Sequence, residues 1–420
     1  MISIQEAINI IDSKLPARKT EERALTKSLG YYIAKEYLAP EPLPGFDNSA
    51  MDGFAIALDE SVSPELPLKM PVIGESRAGI PYTNELQAGE AIRISTGAVV
   101  PEGATQVVPV ENTEMENDVV VIHELGKQYD HIRFAGEEIA VGDRIAKKHD
   151  QLTPAMISWF AGFGIQTVEV FAKPRVAALT TGQELVDPFD NLELGNIRNT
   201  NQLSLEHFLN SIGIGAVYSH QIPDTLEETK RILREAEQVA DIILVSGGVS
   251  VGPHDHVKVA AEAVGFEQHF WKVAQKPGKP LYFATWNNKL LFGLPGNPVS
   301  TLMSTLIYVY PVLQYLVGNP NQNLPAVTAH LSQNYENEEI DRTKYLFVKF
   351  ASENSEHLII EPAVHQRSHM MSGVTTSDGF IVIPAGTNML DSNNPQLVYL
   401  FPWSDFPEPL QRPRIIQWDE

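Results

Sequence analysis

The feature that most constrains the fold is an alternation of apolar runs and amphipathic segments between residues 175 and 316. Three runs have the composition of strands, and two of them end in glycine: RVAALTTG, AVYSHQI and DIILVSGG. The segment LSLEHFLNSIG has helical spacing with Gly213 as its stop, and Asp224 with Glu227 predicts another helix start. Strands that alternate with helices predict a doubly wound, mostly parallel sheet covered on both faces.

Two glycine-rich junctions follow strands of this predicted sheet, at the carboxyl edge where such sheets bind ligands. The first is SGGVSVGPHDH, residues 246–256, and the second is LFGLPGNPVS, in which Asn297 predicts a helix cap and Pro298 the first helical residue. Helix N-termini and bare backbone favour anions, although a tight turn would also explain the glycines. The predicted anion-binding residues are Ser246, Gly247, Gly248, Ser250, Gly252, Lys279, Pro295, Gly296 and Asn297.

The chain is acidic, with a formal net charge of −22, which argues against nucleic acid as a partner. Against this background WKVAQKPGKP places Lys272, Lys276 and Lys279 around one turn. We interpret these lysines as a phosphate clamp, with a solvated hairpin tip as the alternative. Neither G-x-x-x-x-G-K-[ST] nor G-x-G-x-x-G occurs, so the sequence does not specify a standard nucleotide loop.

Carboxylates are also expected at this edge of the sheet. Glu184 follows the first strand in TTGQEL, Asp224 begins the second helix, and Asp255 lies between two histidines. Mg²⁺ is usually held by one or two carboxylates together with substrate phosphates, so these three residues predict a Mg²⁺ site. The alternatives are a helix cap for Asp224, and for His254–His256 either a cap or a metal-binding trio.

The rest of the chain indicates further domains. Residues 3–15 predict an amphipathic helix with a capping box from Ser3 and Glu6, and residues 152–163 predict a second helix that rejoins it. Short β-like segments occupy residues 46–133 and the chain after Gly318. We therefore predict four domains: a discontinuous N-terminal domain (1–45 and 134–172), an inserted β-rich domain (46–133), an α/β domain (173–318) and a C-terminal β-barrel (319–420).

Composition gives an expectation for location. The chain has no cysteine, its first residues lack the basic start of a signal peptide, and no apolar stretch has the length of a membrane span. We expect a cytoplasmic protein without a membrane partner. The residues alone thus indicate an acidic enzyme that acts on a phosphorylated or nucleotide substrate with Mg²⁺.

A series of motifs resembles one family, that of molybdopterin molybdenumtransferase, which includes MoeA and the gephyrin E domain. The motifs are, in chain order, PLPGFDNSAMDGFAI, RISTGAVVPEGATQVVPVE, FAGEEIAVGD, TTGQELV, SGGVSVG, FWKVAQKPGKPLYF and LFGLPGNPVS. The resemblance implies four structural regions and a homodimer whose pockets combine domains of two subunits. It also implies Mg²⁺-dependent insertion of molybdate into adenylylated molybdopterin, with molybdenum cofactor and AMP as products.

The resemblance also transfers functional roles to individual residues. They are Asp52, Thr96, Glu184, Asp224, Asp255, Lys272, Lys276 and Ser368. Three positions depart from the family pattern: Glu138 replaces an aspartate, Arg367 replaces a common glycine, and Phe347 stands where an arginine is expected. Arg342 or Lys349 is a candidate to replace that arginine. Alternative functions are a molybdopterin- or nucleotide-binding protein, a nucleotide hydrolase with the same α/β domain, and a gephyrin-like scaffold.

Overall fold

The fold is taken from a computed structural model, which describes residues 1–59, 64–250, 255–351 and 358–404. The chain divides into two units. The first, which we call the sheet unit, contains Met1–Arg23, Gly30–Ala34 and the chain from Glu169 onward. The second, the β unit, contains Ala24–Leu29 and Lys35–Val168. The finer division into four domains stays a prediction.

The sheet unit is built around a six-stranded central sheet. Its strands, in spatial order, are Ala216–Ile222, Val176–Thr181, Ile242–Ser246, Lys289–Leu294, Tyr282–Trp286 and Glu267–Trp271. The first four are parallel and the last two run antiparallel to their neighbours. The predicted mostly parallel α/β sheet is confirmed.

Both faces of this sheet are buried, which explains why its strands are continuously apolar. Along Val176–Thr181, Ala177 and Leu179 belong to one hydrophobic core, while Val176 and Ala178 belong to the other. The helices of the unit are Ile4–Ser13, Thr200–Ser211, Leu226–Val239, Val257–Val264, Pro298–Ser304, Tyr310–Leu316 and the short Met371–Thr375.

The first helix begins as the sequence predicts. Ser3 is its N-cap: the Ser3 hydroxyl accepts from the Glu6 N–H at 3.1 Å, and the Glu6 carboxylate accepts from the Ser3 N–H at 2.7 Å. These hydrogen bonds lower the pKa of Glu6. Ile4, Ala7 and Ile11 are buried in the same core as the central sheet. The helix thus belongs to the sheet unit, whereas the predicted second helix, Pro154–Gly162, belongs to the β unit.

The helix Leu226–Val239 begins one residue later than predicted. Thr225, not Asp224, is its N-cap, and the Thr225 hydroxyl accepts from the Glu228 N–H at 3.4 Å. The predicted cap at Asp224 is therefore wrong. Threonine is an effective cap in its own right, so the preceding aspartate is not required for starting the helix.

One helical stretch differs from the expectation about membrane spans. Pro298–Ser304 continues through a π-helical turn, Thr305–Val309, into Tyr310–Leu316. These 19 residues are long and apolar enough to cross a membrane by length and composition. Within the protein 89% of an 18-residue stretch of this helix is buried, as in a helix at the centre of a globular fold. The stretch is not continuously apolar in sequence, because polar residues such as Ser300 and Thr301 interrupt it.

The chain after Gly318 forms a closed five-stranded barrel. Its strands are Ala326–Leu331, Thr343–Phe350, Ile359–Pro362, Gly379–Ile383 and Gln396–Leu400, and each pairs with two others of the set. The predicted C-terminal barrel is confirmed. The two-residue strand Gln275–Lys276, which lies between two central-sheet strands in sequence, joins the barrel strand Thr343–Phe350 in parallel.

The β unit contains a second six-stranded sheet. Its order is Gln106–Pro109, Gly53–Ile56, Ala91–Ile94, Leu68–Ser76, Val119–Ile122 and Thr113–Glu116, so the short β-like segments predicted between residues 46 and 133 are present as strands. The remaining strands of the chain are short: Thr20–Ala24, Tyr37–Leu38, Asn48–Ser49, Ile132–Arg133, Arg144–Ala146, Thr167–Phe171, Leu185–Val186, Ile197–Arg198, Tyr335–Glu336 and Met389–Leu390.

Asp241 joins two strands at the amino edge of the central sheet. It precedes Ile242–Ser246, and its carboxylate accepts from the Arg175 N–H at 2.9 Å, immediately before Val176–Thr181. Lys19 Nζ lies 2.7 Å from the same carboxylate. Burial acts to raise the pKa of Asp241, but hydrogen bonds from Arg175 and Lys19 lower it to about 2.

We predict that Asp241→Asn lowers the melting temperature at pH 7 by roughly 2–4 °C, the effect of about 1 kcal/mol in a domain of this size. The folded pKa of Asp241 is below its unfolded value, so its stabilisation is complete above about pH 4 and is lost as the pH falls toward 2. Thermal melts should show the two proteins converging across that window. Glu361→Gln, which removes an exposed ion pair with Lys349, is the control. A gap that stayed constant with pH would contradict this role.

Candidate active site

A cavity of about 600 Å³ opens at the carboxyl edge of the central sheet. This volume is typical of small-molecule sites. Most of the predicted site residues line it: Glu184, Asp224, Ser246, Gly247, Gly248, Ser250, Asp255, Lys276, Lys279, Pro295, Gly296, Asn297 and Ser368. Gly252 and His254 lie outside the described residues. Both glycine-rich junctions therefore face one cavity, as the strand order requires.

The first junction needs glycine for steric reasons. Gly247 and Gly248 have φ values of +95° and +65°, which side chains rarely adopt. A Cβ at Gly247 would lie 2.5 Å from the Thr181 carbonyl oxygen, at the end of the neighbouring strand. The Gly247 N–H donates to the Leu294 carbonyl at 3.1 Å, so that donor is used within the sheet. The glycines thus let the chain turn closely against the strand ends and keep the cavity open.

Asn201 connects the two junctions, and sequence reasoning missed it. Its side-chain amide donates to Ser246 Oγ at 2.9 Å and to the Gly296 carbonyl at 2.8 Å. Ser246 Oγ also donates to the Pro295 carbonyl at 3.1 Å. The signal available in the sequence was an asparagine in the first turn of a helix that follows a predicted strand. Its partners are 45 and 95 residues away, so the spacing could not identify them.

Asn297 and Ser368 lie together at the start of the helical stretch Pro298–Leu316, which we call the core helix. Asn297 occupies the predicted N-cap position and Pro298 the first helical position, but the Asn297 side chain makes no capping hydrogen bond. Instead its amide donates to Ser368 Oγ at 3.0 Å, and the Val299 N–H donates to the Ser368 carbonyl at 3.1 Å. Ser368, predicted only through the family resemblance, is thereby held at the cavity wall.

Two of the three predicted clamp lysines line the cavity, Lys276 and Lys279. Lys276 Nζ forms an ion pair with the carboxylate of Glu339, and this hydrogen bond lowers the pKa of Glu339. Lys344 Nζ lies 3.8 Å from the same carboxylate. Lys272 is outside the cavity lining, with its ammonium 3.7 Å from the centre of the Trp271 ring.

Arg342 and Gln366 are further cavity residues from the C-terminal region. Phe347, at the position where the family resemblance suggests an arginine, is fully buried in the hydrophobic core. Of the two candidate replacements, Arg342 lines the cavity, whereas Lys349 pairs with Glu361 at 3.6 Å. Arg342 is therefore the cation that this region contributes.

Three carboxylates line the cavity: Glu184, Asp224 and Asp255. Within residues 1–59, 64–250, 255–351 and 358–404, no three His, Asp or Glu side chains come close enough to hold a metal by themselves. His256 is the residue before the helix Val257–Val264 and makes no side-chain capping bond. These carboxylates can supply part of a metal's ligands, which is the usual protein contribution to a Mg²⁺ site.

Asp52 and Thr96 belong to the β unit. The Thr96 N–H donates to the Asp52 carboxylate at 2.7 Å. The two motifs that carry them, MDGFAI and ISTGA, meet because Gly53 pairs with Ile94 in adjacent strands. The structure thus brings these two predicted residues together: Asp52 lies in a bend before the strand Gly53–Ile56, and Thr96 lies in a turn after the strand Ala91–Ile94.

The fold defines a multidomain α/β protein with a cavity at the carboxyl edge of its central sheet, and comparisons with known proteins agree with this fold. Three family models match: the MoeA N-terminal region (domain I and II) over residues 2–164, a probable molybdopterin binding domain over 177–315, and the MoeA C-terminal region (domain IV) over 332–401.

Related proteins match over nearly the whole chain. The molybdopterin molybdenumtransferase of Haemophilus influenzae is 32% identical, over 91% of this chain and 94% of that protein. The Bacillus subtilis protein of the same name is 30% identical over 96% of both chains. The crystal structure of a molybdopterin biosynthesis MoeA protein from Pyrococcus horikoshii has a TM-score of 0.81 and 28% identity, covering 95% of this chain and 99% of that one. The chain belongs to the molybdopterin molybdenumtransferase family and is an enzyme of molybdenum cofactor biosynthesis.

The Glu339 ion pair yields a prediction about anion binding. Glu339 pairs with Lys276, which lines the cavity. Glu339→Gln removes this competing carboxylate and should strengthen binding of an inorganic oxyanion such as sulfate by about two- to fivefold, the range for a partly exposed ion pair. Isothermal titration calorimetry measures this affinity. Glu361→Gln removes a comparable carboxylate outside the cavity and should change nothing. Weaker binding by Glu339→Gln would show that Glu339 orients Lys276 and does not compete for it.

Proposed function

We propose that this enzyme inserts molybdate into adenylylated molybdopterin and releases AMP and molybdenum cofactor in a Mg²⁺-dependent reaction. The observation that carries the proposal is the single cavity in which two glycine-rich strand ends, two lysines and three carboxylates meet. An adenylylated pterin presents phosphoryl groups, and molybdate is a second anion. In a chain with a net charge of −22, local cations are needed to hold them.

The chain's residues have separate tasks in this proposal. The ammonium groups of Lys276 and Lys279 bind the phosphoryl oxygens and stabilise the charge that develops as the bond to AMP breaks. The helix that starts at Pro298 directs its positive end toward the cavity, which favours an anion there. Arg342 adds a cation from the barrel side, where molybdate would need one.

The carboxylates that line the cavity offer the oxygen ligands that Mg²⁺ prefers. Because no three of them form a ligand cluster among the described residues, one or two of Glu184, Asp224 and Asp255 would hold the ion together with substrate phosphates. When bound, the ion would neutralise charge on the phosphoryl oxygens. The residues of the chain hold and orient the substrate around it.

The lack of cysteine accords with a cytoplasmic reaction.

The decisive experiment incubates the protein with adenylylated molybdopterin, Mg²⁺ and molybdate, and follows AMP release together with molybdenum incorporation. The proposal expects both, each dependent on molybdate. A nucleotide hydrolase would release AMP without molybdate, and a binding protein or scaffold would release none. Either result would reject the transferase.

Asp255→Asn tests the magnesium site. Asparagine keeps the size of the side chain and loses its charge, so we expect turnover at limiting Mg²⁺ to fall at least tenfold with the melting temperature in the absence of Mg²⁺ nearly unchanged. The rise in melting temperature that Mg²⁺ produces in the wild-type protein should be reduced as well. Asp150→Asn, outside the sheet unit, is the matched control. Wild-type behaviour of Asp255→Asn at limiting Mg²⁺ would remove Asp255 from the site.

We also propose that the enzyme is a homodimer whose sites need Asp52 from one subunit and Lys276 from the other. Mixing an Asp52→Ala chain with a Lys276→Ala chain, each inactive alone, should give about half mixed dimers, each with one intact site. Activity should recover to roughly a quarter of the wild-type value. Mixing Lys276→Ala with Asp255→Ala, two residues of the same cavity, should give no recovery. Background activity in the first mixture, with subunit exchange verified, would contradict the shared site.

A further inference from the structure

The two cavity lysines lie on a short segment, Gln275–Pro280, which we call the lysine loop. A side-chain amide supports this loop from the protein interior. Gln275 is fully buried, and its Nε2 donates to the Gly278 carbonyl at 2.9 Å. Its Oε1 accepts hydrogen bonds from the hydroxyls of Tyr308 and Tyr345, the latter at 3.2 Å. One amide thus connects the loop to two other parts of the fold.

The two tyrosines belong to elements far apart in sequence. Tyr308 lies in the π-helical turn of the core helix, and Tyr345 in the barrel strand Thr343–Phe350. Burial raises the pKa of both phenols, so both hydroxyls remain protonated and able to donate. A buried amide is costly unless its donor and acceptor are satisfied. The amide therefore stays in place only while the loop, the helix and the barrel all keep their positions.

The loop packs directly against this amide. Gly278 has a φ of +94°, and a Cβ there would lie 2.8 Å from Gln275 Nε2 and 3.0 Å from Ser304 Oγ. At the base of the loop the Val273 N–H donates to the Lys279 carbonyl at 2.9 Å. The backbone between Lys276 and Lys279 is thus fixed at its base by a backbone bond and at its tip by the Gln275 side chain.

We propose that Gln275 is a positioning residue for the reaction: by holding the Gly278 carbonyl it fixes the direction in which Lys276 and Lys279 point into the cavity. The proposal rests on the proposed function, because it assigns the lysines to the anionic substrate. Gln275 borders the cavity but exposes none of its surface, so it acts through the loop and not on the substrate.

The test compares Gln275→Leu, which keeps the size and removes all three hydrogen bonds, with Tyr345→Phe and Tyr308→Phe, which remove one donor each. The control is Tyr282→Phe. The Tyr282 hydroxyl is buried and, among the residues that the structure describes, has no hydrogen-bond partner, so its loss should have little effect. Calorimetry measures the affinity for inorganic phosphate, a probe of the phosphoryl oxygens that the lysines are proposed to bind, and AMP release measures turnover, both at least 15 °C below the melting temperature of each variant.

We expect Gln275→Leu to weaken phosphate binding at least tenfold, each Tyr→Phe variant to weaken it about threefold, and Tyr282→Phe to leave it unchanged. A double-mutant cycle with Lys279→Ala separates positioning from stability. If Gln275 acts through the lysines, Gln275→Leu should weaken binding less in the Lys279→Ala background than in the wild type. Additive effects, or affinities that match the wild type, would overturn the proposal. Should Gln275→Leu fail to fold, the two tyrosine variants decide the question by the same cycle.

The outcomes also separate this inference from the function on which it rests. If the wild-type protein neither binds phosphate nor releases AMP, the proposed function fails. If the wild-type protein does both and the variants behave like Tyr282→Phe, only the role of Gln275 fails.

Discussion

Parallel pairing of strands that are buried on both faces is the constraint on which the rest of this structure depends. It requires the strands Val176–Thr181, Ile242–Ser246 and Lys289–Leu294 to end at the same edge of the sheet. Residues more than 100 positions apart in sequence, such as Glu184 and Asn297, consequently line one cavity. The glycines at these ends are needed because the backbone turns against neighbouring strands where a side chain would collide.

The charge of the cavity lining differs from that of the protein as a whole. The protein has 53 acidic and 31 basic residues, yet its cavity contains Lys276, Lys279 and Arg342 from two different parts of the fold. Glu339 pairs with one of these cations and limits the excess positive charge. A carboxylate that pairs with the cation in this way competes with an anionic ligand for the same ammonium group.

The sequence predicted those features that depend on local patterns. The strand Val176–Thr181, the capping box of Ser3 and the barrel strands all follow from periodicity or spacing within ten residues. Errors arose where two local signals compete, as at Asp224 and Thr225, since both residues favour helix caps.

Long-range contacts were beyond the reach of such patterns. Asn201 and Gln275 make hydrogen bonds to residues distant in the chain, and the local sequence does not show which residues those partners are. The sequence offers Arg342 only as one of two candidates for the arginine that the family resemblance expects at position 347. Only the folded structure shows that Arg342 lines the cavity. Asp52 and Thr96 were identified through family resemblance, because in isolation they look like turn residues.

The strand Gln275–Lys276 has a consequence for how the molecule loses its structure. It pairs with the barrel strand Thr343–Phe350, and residues of the central sheet and of the barrel, such as Phe292 and Phe347, share one hydrophobic core. Local opening of the barrel would therefore remove a backbone neighbour from the lysine loop and disturb the core that the barrel shares with the central sheet. Hydrogen exchange in the two regions is thereby expected to occur through one shared opening event, which makes the C-terminal barrel a determinant of how long the site stays assembled.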